Sequence, residues 1–151
     1  AGNAPGLNSG ASAMVIADQD YAERKGLSAI ARIVSFAVGA VEPERFALGP
    51  VPAINLALQR AGWRLAEVDR LEINEAYAAV PLAVIKSLGI PEEIVNVEGG
   101  AVAHGHPIGA TGAILTTRLL HSMRRDGLKK GIVALCIGGG QGIALAVELL
   151  G

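Results

Sequence analysis

The chain has 151 residues, a formal net charge of −1, a hydrophobic share of 51% and an aromatic share of only 3%. Neither a charge excess nor base-stacking aromatic residues are available to bind nucleic acid or an anionic membrane surface, and no apolar run approaches the roughly 20 residues of a membrane-spanning helix. A single cysteine excludes an internal disulfide framework and is typical of a reducing compartment, so we expect a cytoplasmic domain that binds no nucleic acid and no membrane.

The first residues are expected to continue a longer protein, because the chain begins without an initiator methionine and residues 2–12 have the Gly, Asn and Ser content of an internal loop. Residues 13–17 are predicted to form a short buried strand. Residues 18–25 are predicted to form a helix, since Asp lies at its start and Lys-Gly at its end.

A long strand and an amphipathic helix come next. Residues 28–41 are rich in Ala, Ile, Val and Phe, which indicates an extended strand covered on both faces. A turn at residues 42–44 separates it from a helix that ends at Gly62, in which apolar residues recur at positions i, i+3, i+4 and i+7. Those apolar residues are Ile54, Ala57, Leu58 and Ala61.

A second strand and helix surround the polar pair Asn74-Glu75. Residues 70–73 alternate between polar and apolar, like a strand that leads into the pair. Apolar residues line one face of a helix predicted over residues 76–88, and Pro81 is expected to kink that helix by removing a hydrogen-bond donor.

The last third of the chain combines a loop, a helix and two strands. Residues 98–112 form a loop of small residues, and a loop of this length is typical of a functional segment. A helix is predicted over residues 111–125, and apolar strands over residues 131–136 and 143–149 flank a glycine cluster. The alternation of strands and helices predicts a layered α/β domain.

Three separate segments carry the groups of a candidate acyl-transfer site. The imidazole of His106 can move protons near neutral pH, the thiol of Cys136 can exchange a proton with carbon, and glycines let backbone N–H groups approach a substrate oxygen. Because the chain has one cysteine, Cys136 cannot be both a thiolate nucleophile and a separate acid/base. Part of such a site must therefore come from elsewhere.

Each of these groups also has a purely structural interpretation. His106 fits a polar loop residue with one hydrogen bond, and Cys136 fits a small buried hydrophobe. The glycines after Cys136 fit a turn between strands, and Asn74-Glu75 fits a helix N-cap. His104 and His106 are spaced like a metal pair, but no third and fourth ligand occurs at a recognisable spacing, and we predict no metal. The strand-like residues after the glycines exclude a dinucleotide-binding fingerprint.

Three motifs occur in order along the chain: Asn74-Glu75-Ala76-Tyr77-Ala78, Gly99-Gly100-Ala101 through Gly112, and Cys136 through Gly142. In their order and their separations, 32 residues from Asn74 to His106 and 30 from His106 to Cys136, they resemble the C-terminal half of thiolases, the coenzyme A-dependent acyltransferases. The resemblance spans essentially the whole chain. It implies a layered α/β/α fold, with residues 1–27 as the tail end of the N-terminal domain and residues 28–151 as the C-terminal domain.

The resemblance implies a role for each polar group. His106 matches the histidine that takes the proton from a nucleophilic cysteine and then helps to hold the thioester oxygen. Asn74 matches the asparagine that fixes a water in the same oxyanion hole, and the N–H of Gly138 matches half of a second one. Cys136 matches the acid/base at the α-carbon.

The implied reaction is the reversible Claisen condensation or thiolysis of 3-ketoacyl-coenzyme A in fatty acid metabolism. Coenzyme A is then a substrate and no cofactor is tightly bound, and Ala76 and Tyr77 match the wall of the channel for its pantetheine arm. The nucleophilic cysteine lies in the family's N-terminal half, so that half is the expected partner, and the complete protein is expected to be a homo-oligomer. The alternative is a non-catalytic fragment or assembly module; a ketoacyl synthase is disfavoured, because those sites use two histidines.

Three residues depart from the family's pattern. Tyr77 replaces a usual phenylalanine, which is a mild change. Pro5 replaces a serine that contacts the pantetheine amide in many members, so we expect weaker binding of coenzyme A. Glu98 replaces a common asparagine, and nothing in the sequence explains this change.

Overall fold

The computed structural model describes residues 2–151. Ala1, the first residue of the predicted N-terminal-domain segment 1–27, lies outside the described residues. The described residues form a four-stranded sheet with the strand order β1-β4-β3-β2. Its strands are β1 (Ala31–Ala40), β2 (Arg70–Ile73), β3 (Lys130–Cys136) and β4 (Gln141–Leu149). Strands β2 and β3 are parallel, whereas β4 is antiparallel to both of its neighbours.

Helices cover both faces of this sheet. They are α1 (Gln19–Arg24), α2 (Pro50–Ala61), α3 (Ala79–Leu88), α4 (Ala101–His104) and α5 (Thr111–Asp126). The main core lies where α2 and α3 pack on one face, and a second cluster lies where Leu115, Leu119 and Met123 of α5 pack on the other. This arrangement confirms the predicted layered α/β/α fold.

The helices α2 and α5 lie where the sequence predicts them. Their apolar stripes face the sheet, and each ends at a glycine in the left-handed conformation, Gly62 with φ 68° and Gly127 with φ 67°. Glycine adopts this conformation at little steric cost, so both helices end where their sequence indicates. Within residues 2–151, no helix has both the length and the apolar character needed to cross a membrane.

The strand predicted over residues 13–17 is wrong. These residues form no strand and are exposed, Val15 to 96% and Ile16 to 73%. A strand needs a neighbour for its backbone hydrogen bonds, and none of the described strands lies beside this segment. The helix that follows is confirmed as α1, where the Asp18 side chain accepts the N–H of Tyr21 at 3.0 Å.

Strand β1 is covered on one face only, contrary to the prediction. It is an edge strand, and its buried residue Ala37 lies on the face that packs against α2. On the other face Ile33, Phe36 and Val38 are 47%, 61% and 52% exposed, because α5 covers mainly β2 and β3. We call these three side chains the β1 apolar face.

Helix α3 begins later than expected, and Pro81 does not kink it. The helix starts at Ala79, so Pro81 lies in its first turn. The first N–H groups of a helix have no partner within it, and a proline there removes no hydrogen bond. The same start excludes the N-cap interpretation of Asn74-Glu75, since Ala78 holds the N-cap position.

Candidate active site

The site forms where two parallel strands end. Asn74 directly follows β2 and Cys136 ends β3, and the N–H of Asn74 donates to the carbonyl of Ala134 at 2.9 Å. Because the carboxyl ends of parallel strands meet at one edge of a sheet, these two distant residues become neighbours.

His106 is held by one residue near the start of the chain and by one residue of α5. Its backbone N–H donates to the carbonyl of Gly6 at 3.3 Å, and its ring nitrogen Nδ1 lies 2.7 Å from Oγ1 of Thr111, at the start of α5. The Thr111 hydroxyl donates its only hydrogen to the carbonyl of Pro107 at 2.9 Å. Oγ1 must therefore accept from Nδ1, which assigns the ring proton of neutral His106 to Nδ1.

The second ring nitrogen of His106 is left as an acceptor. Nε2 lies 3.3 Å from Nδ2 of Asn74, which can only donate. Burial lowers the pKa of His106, so the ring is neutral near pH 7 and can accept a proton at Nε2. Asn74 itself is 1% exposed, and its Oδ1 has no hydrogen-bond partner among residues 2–151.

His106 and Cys136 line the same open cavity of about 730 Å³. Gly138 and Ala76 also line it, and most of the remaining lining is apolar. Burial raises the pKa of the Cys136 thiol, which therefore stays protonated near neutral pH. The structure thus brings together a basic imidazole, a protonated thiol, a carboxamide and a backbone donor.

The turn between β3 and β4 explains only part of the glycine cluster. Gly139 and Gly140 have φ of 73° and 82°, and a Cβ on Gly140 would lie 2.2 Å from the carbonyl oxygen of Val41, so the turn between β3 and β4 requires both. Gly138 has neither constraint, since a Cβ there would meet no atom of the described residues within 4 Å. The turn therefore does not account for Gly138, which borders the cavity.

Tyr77 lies one step away from this cavity. It is 51% exposed and packs edge-on against Phe46, with ring centroids 6.2 Å apart. Phe46 lines the cavity together with Ala76. Of the two predicted channel residues, Ala76 therefore borders the cavity directly and Tyr77 touches it through Phe46.

Two residues next to the site, Thr111 and Asn96, were not predicted from the sequence. Thr111 lies inside the motif that contains His106, five residues after it, a spacing that lets a hydroxyl at a helix start reach the imidazole. Asn96 lies between α3 and α4, and its side chain binds the backbone of Ile73 beside Asn74. No sequence periodicity reveals Asn96, because its contacts follow from tertiary structure.

His104 and Glu98 have structural partners on α5. His104 pairs with Arg118, and residues 2–151 contain no group of three or more His, Cys, Asp or Glu side chains that could hold a metal ion. Glu98 pairs with Arg125, whose hydrogen bond lowers the pKa of Glu98. This ion pair gives the unexplained Glu98 a role in joining its loop to α5.

Comparison with protein families and curated relatives gives a consistent result. The family model for the thiolase C-terminal domain matches residues 27–149. Acetyl-CoA acetyltransferases of Rhizobium meliloti and Escherichia coli are 51% and 53% identical over 150 residues, 99% of this chain. The chain spans only 38% of the length of these relatives.

A solved structure gives the same match. Human mitochondrial 3-ketoacyl-CoA thiolase in complex with CoA superposes with a TM-score of 0.86 at 42% identity. The superposition covers 89% of this chain and 34% of the human one. At this identity the likeness extends beyond the fold to the sequence.

Proposed function

Since the chain belongs to the thiolase family through its C-terminal domain, we propose that it supplies one half of an acyl-coenzyme A acyltransferase site. The proposed reaction is the thiolysis of a 3-ketoacyl thioester or its reverse, a Claisen condensation. The other half, with the nucleophilic cysteine, belongs to the remaining part of such a protein. The observation that carries the proposal is the acceptor nitrogen of His106 in the cavity that Cys136 also lines.

His106 is the base for the nucleophile. With its proton on Nδ1, His106 has an unprotonated Nε2, which takes the proton of the nucleophilic cysteine, whose sulfur then attacks the 3-keto carbon. The N–H of Gly138 stabilises the oxyanion that forms on the former keto oxygen. When a coenzyme A thiol later displaces the acyl group, His106 returns the proton to the departing sulfur.

Cys136 moves the proton at carbon. When the bond between C2 and C3 breaks, its electron pair stays on C2. The thiol of Cys136 then transfers its proton to C2, and acetyl-coenzyme A leaves. His106 and a water held by Asn74 stabilise the enolate oxygen of this intermediate, which is the thioester oxygen of the departing acetyl-coenzyme A. The Cys136 thiolate then takes the proton of the incoming coenzyme A thiol, so the chain ends the cycle unchanged.

Coenzyme A is the proposed substrate and not a resident cofactor. The human relative of known structure carries CoA, and Ala76 on the cavity wall supports a channel for the pantetheine arm. Tyr77 would border that channel through Phe46. Pro5, which has no N–H to donate, is expected to weaken the binding of this arm.

The partner proposed for this chain is the N-terminal part of a thiolase, followed by homo-oligomerisation of the complete protein. Residues 1–27 are proposed as the tail end of that N-terminal domain, which the family match from residue 27 supports. The β1 apolar face and the exposed segment of residues 13–17 are its proposed contacts. Covering them would remove exposed apolar surface from water.

A chimera tests the proposed function. The matching C-terminal part of the Escherichia coli acetyltransferase is replaced by this chain, and thiolysis of acetoacetyl-coenzyme A is measured. We expect turnover, and a loss of about 10²–10⁴-fold for His106→Ala, because a general base is removed. Cys136→Ser should impair hydrogen exchange at the α-carbon more than formation of the acyl-enzyme.

The exposed His121 on α5 provides the matched control, and His121→Ala should keep the turnover of the chimera. A folded chimera without turnover would contradict the proposed function and favour the non-catalytic assembly module. Equal turnover of the His106→Ala variant and the parent chimera would contradict the role of His106.

A further inference from the structure

Asn96 lies beside the end of β2 in a backbone conformation that most side chains avoid. Its φ is 47°, in the left-handed region. Its N–H donates to the carbonyl of Leu71 at 3.0 Å, and the preceding Val95 pairs with Leu71 in a parallel bridge. The segment thus runs along the free edge of β2, and the side chain of Asn96 is turned towards that strand.

The carboxamide of Asn96 takes the place of a neighbouring strand. Its Oδ1 accepts the N–H of Ile73 at 2.8 Å, and its Nδ2 donates to the carbonyl of Ile73 at 2.9 Å. These are the two backbone groups that a paired strand would satisfy. Ile73 directly precedes Asn74, so the Asn96 side chain fixes the backbone from which the site carboxamide projects.

The Asn96 amide also donates a hydrogen bond to the carboxylate of Glu75, which in turn binds the backbone of α4. Nδ2 donates to Oε1 of Glu75 at 3.3 Å, and Oε2 of Glu75 accepts the N–H of Val102, in α4, at 2.9 Å. Helix α4 ends two residues before His106. Glu75 therefore joins the end of β2 to the segment that carries the site imidazole.

The backbone at Gly100 lies close to the carboxylate of Glu75. A Cβ on Gly100 would lie 2.1 Å from the carboxyl carbon of Glu75, so a larger residue at this position would displace the carboxylate. Asn96 uses both amide hydrogens and its oxygen in this arrangement. Such a fully bonded polar group has one preferred geometry.

We propose that Asn96 and Glu75 are positioning residues that set the distance between the carboxamide of Asn74 and the imidazole of His106. Neither residue lines the site cavity, so each acts through the backbone that it binds. The catalytic consequence rests on the proposed function, but the geometric consequence does not.

The first experiment uses the chain itself. Asn96→Asp removes both donors and places a second carboxylate beside Glu75, and Asn96→Gly removes the side chain while easing the left-handed backbone. For both variants we expect changed ring nitrogen shifts and a changed titration curve of His106 in NMR spectra. The exposed Glu93 in the preceding 3₁₀ helix (Glu92–Ile94) gives the control Glu93→Gln, which should leave both unchanged.

The second experiment uses the chimera with the Escherichia coli acetyltransferase. Asn96→Gly should lower kcat by about 10-fold or more with KM within about 2-fold, as expected when groups are misplaced without loss of substrate contacts. In the double variant Asn96→Asp with Glu75→Gln, the amide introduced at position 75 can donate to the carboxylate introduced at position 96. The kcat of the double variant should therefore fall less than the product of the two single losses.

Each outcome decides the proposal. If the variants lose only thermal stability, while the His106 titration and kcat below the melting transition stay at the parent values, Asn96 and Glu75 are structural residues and the proposal is wrong. If the parent chimera lacks turnover but the His106 shifts in Asn96→Gly, the proposed function fails and the positioning role stands.

Discussion

At the residue scale, one hydroxyl group decides which nitrogen of His106 carries the proton. Thr111 donates to the carbonyl of Pro107 and so can only accept from Nδ1 of the imidazole. Without this constraint both neutral tautomers of an imidazole are available. The side chain of Thr111 thereby keeps Nε2 unprotonated, so this nitrogen can act as a base.

Thr111→Val tests this assignment, because valine keeps the shape and removes the hydroxyl. Nδ1 then loses its acceptor, and part of the His106 population should move its proton to Nε2. We expect about a 10-fold lower kcat in the chimera, a fraction of the full effect of a general base. Nitrogen shifts of the ring measure the tautomer, and Thr111→Ser, which keeps the hydroxyl, should match the parent chain; an unchanged tautomer in the valine variant would contradict the assignment.

At the element scale, the interface between β2 and α5 contains a buried carboxyl group. Glu72 is 0% exposed, and neither of its carboxyl oxygens has a hydrogen-bond partner among the described residues. Burial raises the pKa of Glu72 from 4.5 to about 7. The charged groups that act on it are Arg118, Glu98, Arg70 and Glu75.

The buried Glu72 makes stability depend on pH. The unfolded chain ionises this carboxyl above about pH 4.5 and the folded chain only near pH 7, so the free energy of unfolding should fall between these values, by about 3 kcal/mol, and then level off. Glu72→Gln cannot ionise and should lack this slope. Urea unfolding of the parent chain and of Glu72→Gln from pH 4.5 to 8 measures how far their free energies of unfolding differ at each pH. The other titrating groups are the same in both chains, so their contributions cancel in this difference. If Glu72→Gln keeps this pH dependence, another group causes it. The control Glu93→Gln changes an exposed carboxylate and should keep the pH dependence of the parent chain.

At the scale of the whole molecule, the sheet is covered unevenly. Helices α2 and α3 pack on one face along the main core, while α5 leaves the outer strand β1 open on the other. The β1 apolar face continues into the site cavity, since Phe36 also lines it. A segment docked on this face would therefore also border the cavity that His106 and Cys136 line.

Phe36→Asp tests the proposed docking on the β1 apolar face. Phe36 is 61% exposed, so the free energy of unfolding of the chain should change by less than about 0.5 kcal/mol. A carboxylate buried at the interface would be costly, and co-purification with the N-terminal part of the Escherichia coli acetyltransferase should be lost. Leu82→Asp changes a similarly exposed apolar residue on α3, 56% exposed, and should keep the complex. If the Phe36→Asp variant co-purifies with that N-terminal part as well as the parent chain does, the partner binds a different face of this chain.

The sequence alone predicted the elements whose cause is local. Helices α2 and α5 follow from an apolar period and a terminal glycine, both of which lie within the element. The motifs around Asn74, His106 and Cys136 predicted the family, and the family match confirmed it. The roles of these three residues stay predictions, for which the chimera is the test.

Tertiary structure decided what depends on neighbours distant in the chain. Residues 13–17 and β1 have the composition of buried strands, but burial requires a second surface, and the described residues supply one on only one side of β1 and none for residues 13–17. The tautomer of His106 and the bonds of Asn96 likewise arise only after folding places Thr111 and Ile73 beside them. A side chain's residue type limits which bonds it can make, whereas the folded backbone determines which partner lies within reach.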